Sequence, residues 1–139
     1  EALFDVEPSP EAVLELPFET LRCAGLSTAK APSLRDLAQK VEAGLVELDR
    51  MGRLRDDKVV SELILVRGIG EWTAQMFLMF QLGRLDVWPV LDFGVRSGFG
   101  TMFGLKAMPT PKQLAKRGEP WRPYRSVAAW YLWRALEVE

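Results

Sequence analysis

The spacing of proline and glycine constrains this chain more than any other feature, because it cuts the sequence into short segments that start and stop as helices do. Ser9 followed by Pro10 reads as a helix N-cap and first helical position, where proline's missing amide hydrogen costs nothing. Pro17 breaks that segment, and a second short one stops at Gly25. Leu34, Leu37, Ala38 and Val41 recur at helical spacing up to Gly44, a residue suited to a left-handed stop. Pro32 leaves two starts open for that helix. It begins near Ser27 and kinks, or it begins at Ser33, where Ser33 and Asp36 approximate a capping box. After a turn region at Met51 to Arg55, Asp57 is placed to cap a helix carrying Val59, Val60, Leu63 and Ile64. Trp72, Met76, Phe77 and Phe80 form the apolar face of the next helix, which Gly83 ends. Residues Asp86 to Asp92 form a loop, since Pro89 forces extended backbone before it, and Asp92 can cap the helix that follows. Thr110-Pro111-Lys112-Gln113 combines N-cap, first-position proline and glutamine partner, and Pro123 opens a last helix carrying Val127, Trp130, Tyr131, Trp133 and Leu136. No strand alternation is sustained over four residues, so the expected fold is all-α, a single helical domain over residues 1–139.

Composition narrows the chemistry. At 48% hydrophobic and 27% charged, 139 residues suit one compact core. No run approaches the roughly 20 apolar residues of a membrane-spanning helix, and an N-terminus bearing Glu1, Asp5 and Glu7 is too acidic for a signal peptide, so the chain reads as soluble and not secreted. The single cysteine, Cys23, and the absence of histidine exclude an internal disulfide, a thiolate zinc site, an iron–sulfur cluster and imidazole acid–base catalysis. Charge is uneven. Residues 1–63 hold 8 basic and 13 acidic side chains, residues 64–139 hold 10 and 6. Between Phe93 and Arg134, Arg96, Lys106, Lys112, Lys116, Arg117, Arg122, Arg125 and Arg134 are opposed only by Glu119. Such a stretch either meets a polyanion or is simply a solvated cationic face.

Gly68 and Gly70, between two helices, permit a turn whose successive amides point outward with no side chain in front of them. With the amides of the following helix, such a hairpin can hold one nucleic-acid phosphate without reading sequence, although Gly-x-Gly between helices is more often only a short connection. Twenty-two residues beyond Gly70 stands Asp92, at the mouth of a helix.

The stretch Leu63 to Ala74, Leu-Ile-Leu-Val-Arg-Gly-Ile-Gly-Glu-Trp-Thr-Ala, followed by Asp92, resembles the helix-hairpin-helix DNA glycosylase superfamily, with the hairpin at residues 64–74. Within it the likeness is greatest to the DNA-3-methyladenine glycosylase II (alkylbase) branch, and Leu21–Ala31, Asp86–Asp92 and Trp121–Trp133 agree with it. The resemblance implies a monofunctional glycosylase of base excision repair that flips alkylated bases such as 3-methyladenine out of double-stranded DNA. It implies that Asp92 is the catalytic carboxylate. Breaking an N-glycosidic bond builds positive charge on the sugar, which a fixed carboxylate can stabilise. Helix capping is the plainer role for Asp92, and one residue can do both. Trp72, Phe93, Trp133 and Met76 match positions around the base pocket, where electron-rich rings would attract a cationic alkylated purine. Gly68, Ile69, Gly70 and Thr73 match the positions that hold the DNA backbone. The carbonyls of Ile64, Val66 and Ile69 match those that bind a structural sodium or potassium ion; no other cofactor is implied. Where strand-cleaving members carry a Schiff-base lysine, this chain has Trp72, so amine-based strand cleavage is not expected. Aromatics at helical spacing are more often core, and Phe77, Phe80 and Trp130 are expected there.

The resemblance also has gaps. Met76 replaces an aromatic, Leu91 an acid before Asp92, and Arg67 the usual hairpin proline. The family's N-terminal helical stretch, with its wedge residue, has no counterpart in these 139 residues, and neither has the β-rich domain that often precedes it. The expected fold is therefore an N-terminally truncated glycosylase-type domain with an apolar groove, completed in a homodimer, by a companion polypeptide, or in a longer product. A bacterial-type, cytoplasmic and nucleoid-associated setting follows from the resemblance, with no membrane partner. A non-catalytic DNA-binding module and an inert helical interaction domain are the competing readings.

Overall fold

The computed structural model describes residues 8–137; Glu1, Asp5 and Glu7, whose acidity argued against a signal peptide, lie outside the described residues. Among the described residues there are helices and no strands, and no helix is long and apolar enough to cross a membrane. The chain gathers into two compact units, Glu1–Ala74 and Gln75–Glu139.

In the first unit, α1 (Pro10–Glu15) is capped by the Ser9 hydroxyl, which accepts from the Ala12 amide at 3.2 Å. α2 (Phe18–Cys23) ends at Gly25, φ +97°, and α3 (Lys30–Glu42) at Gly44, φ +68°. Pro32 is the third residue of α3. The first amides of a helix lack an intrahelical acceptor, so a proline costs nothing there, and the helix starts on the Ser27 side of the two alternatives. Ser27 caps Lys30, whereas the Ser33 hydroxyl donates back to the Ala29 carbonyl at 2.9 Å; the Ser33–Asp36 capping box does not form. A 3₁₀ turn (Leu48–Arg53) places Met51 in the core. α4 (Asp56–Leu63) follows Arg55 as N-cap. Asp57 lies inside its first turn, where its charge meets the helix dipole and pairs with Arg55, so it is not the cap. α3 packs on α1 and α2, and the Arg35 guanidinium donates to the Leu14 carbonyl. Leu21, Val46, Met51, Val59 and Val66 are fully buried.

α5 (Glu71–Met76) runs from the first unit into the second and widens into a π-helical turn (Phe77–Gln81) before Gly83, φ +63°. That widening overturns the expected apolar face. Its extra residue per turn rotates Phe80 outward, and Ala74 and Leu78 are the buried positions, while Trp72 and Phe80 are 47% and 66% exposed. Phe77 is half-buried and Trp130 is 48% exposed, so neither Phe80 nor Trp130 belongs to the core.

In the second unit, α6 (Phe93–Met102) packs on α8 (Arg125–Arg134). The approach is close enough that a Cβ on Gly98 would overlap the Leu132 carbonyl. α7 (Pro111–Gly118) has the expected capping box, with Thr110 and Gln113 bonding reciprocally. A 3₁₀ turn (Glu119–Trp121) leads to α8, which begins two residues after Pro123 and ends before Leu136. Trp88, Val95, Phe99, Leu114, Ala129 and Leu132 form the core, with Trp121 edge-on to Trp88 at 5.4 Å.

Candidate active site

The hairpin of the first unit is built on buried anchors. Leu63 and Val66 are buried while Ile64 and Leu65 are half exposed, and the Ile69 amide donates to the Val66 carbonyl at 3.0 Å. The two glycines serve differently. Gly68 takes φ +80°, and a Cβ there would run into the Ser33 hydroxyl on α3. Gly70 has no positive φ, and a Cβ there would meet open space. Among the described residues, neither a positive φ nor a close neighbour requires glycine at position 70. Among the described residues, no acceptor takes the Gly68 or Gly70 amide. Ile69 is half-buried, and Thr73 and Trp72 are exposed.

Asp36 is the residue that sequence reasoning misplaced. Its Oδ2 accepts the Arg67 backbone amide at 2.6 Å, and Lys40, one helical turn along, grips the carboxylate at 2.6 Å. The Arg67 amide first, then Lys40, hold the Asp36 carboxyl below the usual aspartate range. The i,i+4 pair was visible in the sequence; the long-range backbone donor was not.

The carboxylate of the second unit is held by a backbone amide and an indole. Asp92 is the N-cap of α6: its Oδ1 accepts the Val95 amide at 2.7 Å and, from α8, the Trp133 indole N–H at 2.8 Å. At 9% exposure Asp92 is buried, with a small part of its surface left open. Trp133 reaches it because residue 94 is glycine; a Cβ there would lie 2.7 Å from Trp133 Cδ1. Phe80 stacks on Trp133 with centroids 5.9 Å apart. Phe93 is exposed and Met76 half-buried. The second unit therefore brings Trp133 to Asp92 and adds Phe80, assigned to the core from sequence; Trp72 belongs to the first unit.

The loop leading to Asp92 is fastened along its length. The Ser126 hydroxyl accepts the Val87 amide at 2.9 Å and donates to the Arg84 carbonyl at 2.7 Å. Arg125 binds both Asp86 oxygens, and Arg122 joins from the other side. Arg125 first, then Arg122, hold the Asp86 carboxyl below its ordinary value of 3.8. Trp88 donates to the Leu114 carbonyl over Gly118, whose missing side chain makes room for the indole.

These bonds thin out the cationic stretch. Arg122 and Arg125 are engaged with Asp86 and Glu119, Arg134 pairs with Glu137, Arg96 holds the Pro109 carbonyl, and Arg117 lies over the Phe99 ring. Lys106, Lys112 and Lys116 form no ion pair among the described residues. An open apolar groove of about 280 Å³, lined by Met79, Phe80, Leu85, Val127 and Trp130, shares Phe80 with the Trp133 stack.

A hairpin with bare amides and an N-capping aspartate held by a tryptophan can be set beside known proteins. Residues 1–123 match the family of HhH-GPD superfamily base excision DNA repair proteins. The chain belongs to that superfamily. It is 36% identical to DNA-3-methyladenine glycosylase 1 of Schizosaccharomyces pombe over 132 residues, 94% of this chain and 58% of that protein. It is 35% identical to the putative DNA-3-methyladenine glycosylase YfjP of Bacillus subtilis over 130 residues, 94% of this chain and 45% of that one. Among solved structures, the S. pombe 3-methyladenine DNA glycosylase in complex with abasic DNA superposes with a TM-score of 0.86 at 35% identity, over 94% of this chain and 64% of that one. The DNA-3-methyladenine glycosidase of Bacillus halodurans gives 0.84 at 36%, over 95% and 61%. The chain thus spans about half the length of the curated relatives it matches. The all-α fold and the family inferred from the Gly-Ile-Gly-x-Trp-Thr-Ala stretch are as expected.

Proposed function

We propose that this superfamily member is a monofunctional DNA glycosylase that hydrolyses the N-glycosidic bond of alkylated bases such as 3-methyladenine in duplex DNA. The observation that carries the proposal is the doubly anchored carboxylate of Asp92, a buried aspartate whose Oδ1 is fixed by a helix N-terminus and an indole N–H. In this reading the Gly68 and Gly70 amides and Thr73 hold a backbone phosphate, while the Ile69 amide is spent on the Val66 carbonyl, and the lesion nucleotide leaves the stack. Phe93, Trp133 and Met76 of the second unit receive the base, with the aromatic faces favouring a cationic ring. As the C1′–N bond breaks, its electron pair leaves with the cationic base, which departs neutral; Asp92 stabilises the positive charge on the sugar, and water adds to C1′ and gives up a proton to solvent. Gly70 supports the grip: with no side chain there, the backbone is open to approach from outside.

A sodium or potassium ion at the hairpin fits the same proposal. The Ile64 and Ile69 carbonyls accept no hydrogen bond from the described residues, and the Val66 carbonyl keeps a lone pair beyond the one taken by the Ile69 amide. Such an ion would supply positive charge beside the phosphate.

The test is base release from randomly methylated duplex DNA. The wild-type chain should release methylated purine, and Asp92→Asn should cut the rate by about 100-fold or more, with affinity for a duplex carrying an abasic-site analogue retained. Release unchanged by the substitution removes Asp92 from the chemistry. No release, with equal affinity for intact and abasic duplex, leaves a non-catalytic DNA-binding module.

A further inference from the structure

We infer that Asp36 is a positioning residue of the hairpin, acting through the Arg67 amide to fix the backbone that grips DNA; the inference rests on the DNA-binding reading above. Arg67 immediately precedes Gly68, so its peptide plane sets the direction from which the chain enters the two-glycine corner. The amide needs an acceptor, and the one it has is a carboxylate 31 residues away on α3, at 2.6 Å. A second contact pins the same corner to the same helix. Ser33, nearly one turn before Asp36, fills the space that a side chain on residue 68 would occupy. The hairpin is thereby seated on α3 by one hydrogen bond and one close packing contact, three residues apart.

A carboxylate beside a phosphate-binding turn would repel the ligand if its charge stood alone. Lys40 answers this by sitting on both Asp36 oxygens, each at 2.6 Å. The pair is only about one-quarter exposed, so solvent screens it less than a surface pair. The arrangement keeps the acceptor that the Arg67 amide requires and cancels the charge that DNA would feel.

Two readouts on the full chain separate this role from general stability and from the DNA reading. Without DNA, hydrogen exchange at the Arg67 amide should quicken in Asp36→Ala and stay near wild type in Asp36→Asn, which keeps an acceptor. Unchanged exchange in Asp36→Ala overturns the inference whether or not the chain binds DNA. With a short duplex carrying an abasic-site analogue, well below each variant's melting point, Asp36→Ala should weaken affinity about tenfold, the size of one lost charge-assisted hydrogen bond. Asp36→Asn should lose less than about threefold, since it keeps the acceptor and removes a negative charge. Single-turnover base release at saturating DNA should not change in either variant. In an Arg67→Pro background, which has no amide hydrogen to satisfy, Asp36→Ala should have no further effect. Equal losses for Ala and Asn, or an undiminished loss in the proline background, overturn the inference. If exchange behaves as expected and the wild-type chain shows no affinity for DNA, the DNA-binding reading fails and the tether to α3 stands.

Discussion

The hairpin and the Asp92 corner both sit at the start of a helix, yet they are built in opposite ways. The hairpin presents backbone: two amides with no acceptor among the described residues, half-exposed isoleucine and leucine side chains, and a single carboxylate tether behind it. The Asp92 corner buries its carboxylate between the exposed Leu91 and Phe93, with Ser126, Arg125, Trp88 and Trp133 each fixing a different point of the loop. A surface that grips a repeating phosphate needs bare donors in the right direction and no more. A carboxylate meant to meet a transient charge must be held still before the reaction, and that takes packing and hydrogen bonds from several elements.

Substitutions can break this contrast from either side. The largest effect is expected for Gly98→Ala: the new Cβ overlaps the Leu132 carbonyl, and backbone on both sides has little room to yield. We expect a loss of about 3 kcal/mol in urea unfolding, as for severe overpacking, together with weakened base release as α8 carries Trp133 away from Asp92. Gly68→Ala follows, at about 2 kcal/mol, from a left-handed backbone and the Ser33 clash; it should lower the melting point of the first unit's core. Ser126→Ala leaves the buried Val87 amide without its acceptor and should cost about 1.5 kcal/mol by the same unfolding measurement.

A smaller effect is expected from pH. Because the Asp86 carboxyl is held below 3.8 by Arg125 and Arg122, its ion pairs stabilise the fold fully above that pH. The stabilisation is lost as pH falls through the lower, folded-state value. Comparing unfolding midpoints at pH 7 and pH 3 should therefore show a steeper acid loss in wild type than in Asp86→Asn. The smallest change in stability is expected for Gly70→Ala, within about 0.5 kcal/mol, because its φ is ordinary and its Cβ meets open space. Gel-shift affinity for duplex DNA should nevertheless fall. If Gly70→Ala bound DNA as wild type does, the hairpin would lose its claim to be the grip.

Much of this was legible in the chain. Ser9–Pro10, Thr110–Pro111–Gln113 and the glycines at 25, 44 and 83 mark helix ends through local chemistry, and the structure uses each as read. The capping role of Asp92 was equally local. Less legible were features that depend on where distant segments meet. Asp36 looked like a capping-box partner and became the hairpin's acceptor. Phe80 looked like core and became the exposed partner of Trp133, because a π turn shifted its face. Much of the cationic stretch looked free and is engaged by Asp86 and Glu119.

By itself the sequence determined most of the helices, the caps at Ser9, Asp92 and Thr110, and the two-glycine corner, since each rests on dihedral preferences and hydrogen bonds spanning no more than four residues. Only the tertiary structure decided that Trp133 orients Asp92, that Asp36 holds Arg67, and that a Cβ would strike Ser33 at position 68 but meet open space at position 70. Those facts depend on residues 31 or more positions apart meeting within a hydrogen bond's reach, and periodicity along a chain does not encode such distances.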